Sequence, residues 1–233
     1  MNFRPAIMLI SMLGLLLFAA GGCQTTDAQG GKDEEHVAAT PSMPNAERIL
    51  KLAEQGNVPA QLTLGQMYFE GRGVPAPDHK EAVKWFKMAA DKGNGLAMFN
   101  YGVCLEGGLG IDQNPDEALK WYEKGAALGV PQAQMNAAIS YEDRDNKEKA
   151  LKYYEAAAKS GNPVAMRKVA DHYLAGDGSP EQQQKALRFL QQSAEKGDSR
   201  AQVRLATFYQ EGKGVPQDYA EMLSWLWIAA GSG

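Results

Sequence analysis

The sequence predicts an all-α solenoid, because one pattern recurs along most of its 233 residues. Glycines recur at intervals of 37, 36, 32, 36 and 36 residues, at Gly56, Gly93, Gly129, Gly161, Gly197 and Gly233. An alanine follows each of the first five glycines by four residues, at Ala60, Ala97, Ala133, Ala165 and Ala201. An aromatic residue precedes each of the last five by eight residues, at Trp85, Trp121, Tyr153, Phe189 and Trp225. A fixed period of this length is typical of tandem repeats that stack into one continuous core.

Residues 1–22 have the organisation of a signal peptide. A short segment carrying Arg4 precedes an uninterrupted run of apolar and small residues from Ala6 to Ala20. This run of fifteen residues is shorter than the about 20 that a membrane-spanning helix needs, but it matches the core of a signal peptide. We therefore predict that the segment directs export and is then removed.

Cys23 directly follows the small residues Ala20, Gly21 and Gly22. These four residues resemble the bacterial lipobox, although Leu is more usual at the position of Ala20. The resemblance implies cleavage before Cys23 and acylation of its thiol and amine, and the neighbouring Gln24 implies the periplasmic face of the outer membrane. Two alternatives remain: a soluble secreted protein with an incidental thiol at Cys23, and an uncleaved N-terminal anchor.

Residues 23–45 are predicted to form the lipidated cysteine and a flexible tether. They contain no aromatic residue, and they include Gly30, Gly31, Pro41 and Pro44. A chain of this composition is too polar to build a core, and its r.m.s. reach is about 25 Å.

Residues 46–233 are predicted to form five helix pairs and one additional helix. The units comprise residues 57–93, 94–129, 130–161, 162–197 and 198–233. In the first helix of unit one, a stripe with helical periodicity comprises Ala60, Leu64, Gly65 and Tyr68. The second helix carries the equivalent stripe Ala82, Trp85, Ala89 and Ala90. Residues 46–56 match a lone second helix that caps the array, which makes eleven helices.

Polar residues mark where the second helices begin. Asp78, Asn114 and Asp218 each have a glutamate three residues later, which predicts capping boxes. Unit three departs from the other units, because residues 142–146 replace the loop glycines and the loop is shorter. We predict a tight turn there.

Three segments of unit one carry a family resemblance: residues 60–68, 71–75 and 80–90. They resemble the Sel-like repeat (SLR) family, a longer-looped relative of the tetratricopeptide repeat, and the resemblance covers residues 46–233. It implies a right-handed α/α superhelical solenoid of five repeats plus an N-terminal half repeat, with first helices lining the concave face. It also implies an adaptor or assembly factor for an envelope process such as secretion, exopolysaccharide export or cell-wall maintenance.

Composition excludes several other classes of function. The 24 basic and 28 acidic side chains give a net charge of −4, which argues against nucleic-acid binding. Two cysteines and three histidines are too few for a disulfide framework or a Cys/His zinc cluster, and no pair among His36, His79 and His172 has ligand spacing. We predict neither a metal site nor a cofactor.

Two features suggest a reactive site, but the repeat explains both of them more simply. Ser193 and Lys196 have the Ser-x-x-Lys spacing of penicillin-recognising enzymes, but Ser193 occupies the small-residue position that Ala89 fills in unit one. Cys104 lies on a first helix and is predicted to be a buried, inert thiol.

The predicted function is a non-enzymatic adaptor, anchored to the bacterial envelope, that binds a protein or peptide. The alternatives are a penicillin-interacting, β-lactamase-like hydrolase and an effector that acts on host proteins.

The positions that packing leaves free indicate a binding face. Each residue of an α-helix is rotated by about 100° from the one before it. Positions two, six and nine after the leading alanine of each first helix therefore lie on the side away from the core stripe. They are largely apolar in units one to three, which predicts a groove for a protein or peptide partner: Leu62, Gln66, Phe69, Phe99, Val103, Met135 and Ile139. In units four and five they are mixed. Two alternatives remain: the tether covers these residues, or the assigned angle is wrong by one position.

The last helix carries an apolar surplus. Trp227 stands where units one to four have polar residues: Lys87, Glu123, Glu155 and Gln191. Leu226 and Ile228 flank it, and the sequence stops at Gly233 without the polar cap that is typical of solenoids. We expect self-association or partner docking through this end.

Overall fold

The computed structural model describes residues 44–176 and 178–231. Within these residues the fold comprises eleven α-helices and no β-strand. The helices are α1 (Pro44–Glu54), α2 (Val58–Glu70), α3 (His79–Asp91), α4 (Gly95–Gly107), α5 (Pro115–Ala127), α6 (Pro131–Glu142), α7 (Lys147–Lys159), α8 (Pro163–Leu174), α9 (Pro180–Glu195), α10 (Ser199–Glu211) and α11 (Tyr219–Gly231). Cys23 and the predicted signal peptide lie outside the described residues, as does the predicted tether up to residue 43.

The helices pack in chain order as five pairs behind a single helix. Each of α2 to α10 packs mainly against the helix before it and the helix after it, and α1 packs against α2. The pairs α2–α3, α4–α5, α6–α7, α8–α9 and α10–α11 correspond to the five predicted units. The predicted all-α solenoid is therefore confirmed. The first helix begins at Pro44, two residues before its predicted start.

Side-chain caps define where most of the helices begin. Before four of the first helices, an Asn or Asp side chain accepts a hydrogen bond from the backbone N–H three residues later: Asn57, Asn94, Asn162 and Asp198. The predicted capping boxes of three second helices are confirmed in part, because Asp78, Asn114 and Asp218 accept the same hydrogen bond. The reciprocal bond to the glutamate is not formed, since the backbone N–H groups of these caps donate to the carbonyls of Tyr68, Leu105 and Tyr209. The first helix of unit three differs, because Val130 offers no side-chain cap and Pro131 occupies the first turn. Caps of this kind stabilise a helix by about 1 kcal/mol each.

The tight turn predicted in unit three is confirmed. It joins α6, which ends at Glu142, to α7, which begins at Lys147. Asp145 adopts a left-handed conformation with φ +53°, the only positive φ of a non-glycine residue in the described part of the chain. Asn146 then caps α7 by accepting a hydrogen bond from the backbone N–H of Lys149 at 3.2 Å. An aspartate tolerates this conformation better than most residues, so the loop closes without a glycine.

Small residues on the first helices allow the second helices of units one and two to approach closely. A Cβ atom added at Gly65 would lie 2.6 Å from the ring of Phe86, and one added at Gly102 would lie 2.6 Å from the ring of Tyr122. Both rings are buried in the core. The glycines of the predicted stripe are therefore required for space in these two units.

In each of the first four second helices, a large buried side chain follows the repeated aromatic residue by one position. The buried residues at this position are Phe86, Tyr122, Tyr154 and Leu190. Trp121 is also buried, whereas the other repeated aromatic residues are half-buried and pack at the edge of the core: Trp85, Tyr153, Phe189 and Trp225. The repeated aromatic residues thus border the core more than they fill it.

Candidate functional site

The predicted groove residues lie on the first helices α2, α4 and α6 and differ in exposure. Ile139 is exposed, with 38% of its surface accessible. Gln66 is half-buried. Four apolar members are half-buried and pack against the largest core cluster: Leu62, Phe69, Phe99 and Met135. The predicted groove residues therefore pack against the core more, and are less accessible, than the sequence indicated.

Val103 requires a correction, because it is a core residue with only 7% of its surface accessible. It lies in a stretch of α4 that is buried from Tyr101 to Leu105. The helix packs against α6 as well as against α3 and α5, so more of its circumference is enclosed than the spacing of 100° per residue implies. Val103 is consequently not part of an accessible binding face.

Two of the half-buried aromatic residues rest on neighbouring rings. Phe69 stacks on His79 with ring centroids 5.0 Å apart, and it lies 6.2 Å from the ring of Phe86. Phe99 lies 6.1 Å from the ring of Tyr122. Such aromatic pairs contribute about 0.5–1.5 kcal/mol beyond the burial of their surface. Phe69 and Phe99 therefore stabilise the fold in addition to lining the face.

The first-helix face becomes charged from the end of unit three onward. Glu142 accepts hydrogen bonds from Lys168 Nζ at 2.8 and 2.9 Å and from the hydroxyl of Tyr154 at 2.7 Å. Burial acts to raise the pKa of Glu142, but the hydrogen bonds from Lys168 and Tyr154 outweigh it, and the pKa is lowered overall. Glu142 is therefore ionised at neutral pH.

Arg167 forms the centre of a second charged cluster. Its Nε donates to both carboxylate oxygens of Asp198, at 3.1 and 3.2 Å, and its Nη1 lies 3.7 Å from a carboxylate oxygen of Asp171. Arg204 approaches the other oxygen of Asp171 at 2.5 Å. Burial raises the pKa of Asp171, and the two arginines act against that rise. Arg167 is a buried residue of α8 and Asp198 caps α10, so this cluster joins α8 to the start of α10.

Three buried glutamines link consecutive units, a role that the sequence did not predict. The Nε2 atoms of Gln61, Gln134 and Gln202 donate to the backbone carbonyl eight residues earlier, at 3.1, 3.5 and 3.0 Å respectively. Each acceptor lies on the helix of the preceding unit or half repeat. A signal was present, because glutamine follows the leading alanine in units one, three and five, where units two and four have Met98 and Met166.

The last helix presents an extended apolar surface. Half of the exposed large hydrophobic side chains in the described residues lie on it: Tyr219, Leu223, Leu226, Trp227 and Ile228. Trp227 has 81% of its surface accessible, so the predicted apolar surplus is exposed. An open cavity of about 530 Å³ lies beside it, between α10 and α11, lined by Ser199, Arg200, Val203, Leu226, Ala229 and Ala230.

The features that suggested other chemistry have structural roles. Ser193 is fully buried, and its hydroxyl donates to the carbonyl of Pro163 at 2.7 Å, which confirms that it fills a packing position. Cys104 is buried as predicted, and burial raises the pKa of its thiol to about 12. The described residues contain no group of three or more His, Cys, Asp or Glu side chains placed to hold a metal ion. Within the same residues, no helix is both long and apolar enough to span a membrane.

These features define the class of the protein as an α-helical repeat scaffold. It has tandem helix pairs, a first-helix face that changes from apolar to charged, and a last helix with an exposed apolar surface. More specifically, the chain belongs to the Sel1 repeat family. The Sel1 repeat matches five times, at residues 58–94, 95–130, 131–162, 163–198 and 199–230. Each match begins one residue after the start of a predicted unit.

Two solved structures support this assignment. A Sel1 repeat protein from Oxalobacter formigenes is 31% identical, with a TM-score of 0.73, and the match covers 81% of this chain and 86% of that one. A protective antigen of uropathogenic Escherichia coli with an SLR fold is 33% identical, with a TM-score of 0.72, and the match covers 79% of this chain and 40% of that one.

Curated relatives match over a shorter stretch. DAP3-binding cell death enhancer 1 of Rattus norvegicus is 38% identical over 97 residues, which is 40% of this chain and 18% of the rat protein. Chitin synthase regulator SKT5 of Saccharomyces cerevisiae is 31% identical over 100 residues, which is 41% of this chain and 14% of the yeast protein. The chain thus matches less than a fifth of the length of these relatives.

Proposed function

We propose that this chain is an adaptor that binds a protein or peptide and is held at the periplasmic face of the outer membrane by a lipid on Cys23. The observation that supports binding is the first-helix face, which is largely apolar in units one to three as far as Ile139 and charged from Glu142 onward. The names of the relatives agree with this role, because one describes a DAP3-binding protein and the other a regulator of chitin synthase.

The proposed contact surface is centred on Ile139, the exposed member of the apolar part. The half-buried residues on the same face extend it toward the N-terminal end: Leu62, Gln66, Phe69, Phe99 and Met135. An amphipathic or extended peptide would place apolar side chains on this part and polar groups near Lys168 and Glu142. Val103 is left out, because it belongs to the core.

Chemical crosslinking in intact cells, followed by mass spectrometry, tests this surface. Ile139→Glu places a charge at the exposed apolar position and removes little core contact. A charge that loses its water in an apolar contact costs more than about 1.4 kcal/mol, so the variant should capture its partner at least about tenfold less efficiently. Helical circular dichroism and Tm should stay close to wild type.

Leu128→Glu is the matched control, because Leu128 is also apolar and exposed but lies outside the predicted groove, at the C-cap of α5. This control should yield the same crosslinked species as the wild type. Equal capture by the wild type, Ile139→Glu and Leu128→Glu would place the binding face elsewhere.

The lipid anchor has a separate test. The wild-type chain should fractionate with membranes and show the mass of acyl chains on Cys23, whereas Cys23→Ala should be unprocessed or soluble and carry no acyl mass. Cys104→Ala is the matched control and should remain acylated. An unmodified Cys23 in the wild-type chain would contradict this part of the proposal.

A further inference from the structure

The outward face of α11 contains positions that are buried in earlier units. In unit two these positions are Leu119, Tyr122 and Ala126, and they are buried where α5 packs between α4 and α6. The equivalent residues of unit five are all exposed: Leu223, Leu226 and Ala230. Leu223 alone has 61% of its surface accessible. The last helix therefore presents the same kind of apolar face that forms the interface between units.

Trp227 lacks the hydrogen-bond acceptor that units two and three offer to the following unit, although unit one, which has Lys87 at this position, packs against unit two without one. In units two and three the equivalent residues, Glu123 and Glu155, accept hydrogen bonds from tyrosines of the following unit. The hydroxyl of Tyr141 donates to Glu123 at 2.5 Å, and that of Tyr173 donates to Glu155 at 3.1 Å. An indole has no acceptor for such a hydroxyl, so a further tyrosine-bearing helix would lose this hydrogen bond at Trp227.

We propose that α11 packs against the α11 of a second copy of this chain, about a two-fold axis. Both copies then contribute the same apolar side chains, and Trp227 meets an apolar surface instead of a tyrosine hydroxyl. Glu221 is the only side chain of this helix that is charged at neutral pH, so the contact buries little charge. A two-fold contact uses the same surface on both copies and closes at the dimer.

The opposite end of the solenoid does not suit this surface. The first helix α1 carries four exposed charged side chains: Glu47, Arg48, Lys51 and Glu54. A head-to-tail contact between α1 and α11 would remove these charges from water without offering them partners. This difference between the ends favours a closed pair over an open chain of copies.

The size of the surface predicts a weak dimer. A helix of 13 residues is about 20 Å long. Together with Val203 and Arg200 of α10, its face is smaller than the about 800 Å² that each partner of a standard interface buries. We therefore expect a dissociation constant of about 10 µM.

Sedimentation equilibrium of the full chain, in a detergent matched to the solvent density, measures the mass of the protein alone. Between about 1 and 100 µM, the average wild-type mass should rise from close to that of one chain toward that of two, and it should never exceed two. Trp227→Lys places a charge in the contact and should weaken association at least about tenfold. Its circular dichroism should be unchanged, because Trp227 makes little contact with its own chain.

Leu128→Lys is the matched control, since it adds the same charge at an exposed apolar position outside α11, and it should associate like the wild type. A wild-type chain that stays monomeric up to about 100 µM would overturn the proposal. Association of Trp227→Lys with wild-type affinity would overturn it as well. A mass that continues to rise beyond two chains would exclude the closed two-fold pair.

Discussion

Units two and five contain the same repeat but differ in what surrounds their second helices. In unit two, Tyr122 is fully buried, and Gly102 leaves room for its ring. In unit five, the equivalent residues are Leu226 and Ala206, and Leu226 is exposed although Ala206 is buried. The repeat sequence thus defines which face of a helix is apolar, whereas the burial of that face depends on the following unit. Each internal unit completes its core with side chains of its neighbour.

The largest difference between the two units should appear in thiol reactivity. Burial raises the pKa of Cys104 in unit two to about 12, so at pH 8 only about one thiol in ten thousand is ionised. In protein dilute enough to be monomeric, a cysteine introduced by Val203→Cys at an exposed position of unit five should have an ordinary pKa and react at least about a thousandfold faster with iodoacetamide.

Mass spectrometry of the labelled peptides separates Cys104 from Cys23. The control is labelling in denaturant, where Cys104 and the cysteine from Val203→Cys should react at similar rates. Rapid modification of Cys104 in the native protein would show that α4 opens readily and would weaken the contrast between the units.

The same contrast predicts unequal losses of stability on truncation. Tyr122→Ala leaves a cavity in the core and should lower the free energy of unfolding by about 3–5 kcal/mol. Leu226→Ala removes a partly solvated side chain and should lower it by about 1 kcal/mol. Urea unfolding in dilute solution, followed by circular dichroism, measures both values. Similar losses would mean that another surface already buries Leu226.

A smaller effect is expected from the space between paired helices. Gly102→Ala adds a methyl group 2.6 Å from the ring of Tyr122 and should lower the free energy of unfolding by about 1–3 kcal/mol. Combining it with Tyr122→Leu reproduces the Ala206 and Leu226 pair of unit five, so the two losses should be less than additive. A double-mutant cycle measures this coupling, and strict additivity would show that the two positions do not share space.

The smallest effect concerns the glutamine hydrogen bonds. Gln202→Met gives unit five the residue that unit two has at Met98, so the lost hydrogen bond is partly compensated by apolar burial. The free energy of unfolding should fall by less than about 1 kcal/mol. Gln202→Glu is the contrasting variant, and it should be several kcal/mol less stable because it buries a charge. Equal losses in the free energy of unfolding for the two variants would indicate that hydration of the side chain at position 202, and not the hydrogen bond to Ala194, determines the loss.

Features encoded by neighbouring residues were predictable from the sequence. The caps at Asp78 and Asp218 and the turn at residues 142–146 depend on side chains that contact their own backbone, so the local pattern suffices to find them. The exposure of Trp227 followed from comparing equivalent positions of the repeat. The period itself defined the number of helices.

Features that depend on contact between units were not predictable in the same way. The angular position of Val103 pointed toward the groove, but the approach of α6 encloses that side of α4. The hydrogen bond from Gln61 to the carbonyl of Ala53 requires the distance between two helices, which a periodic pattern does not contain. Such distances depend on small residues, as at Gly102, whose effect is visible only beside the ring that it accommodates.

The packing of the helices in chain order also determines how the molecule responds to mechanical tension. A pull between the two ends of the solenoid acts on every interface between units in series, so the weakest interface separates first. Each released unit of about 36 residues adds about 120 Å to the length of the extended chain. A solenoid stretched between two attachment points would therefore lengthen in steps of one unit before the connection broke.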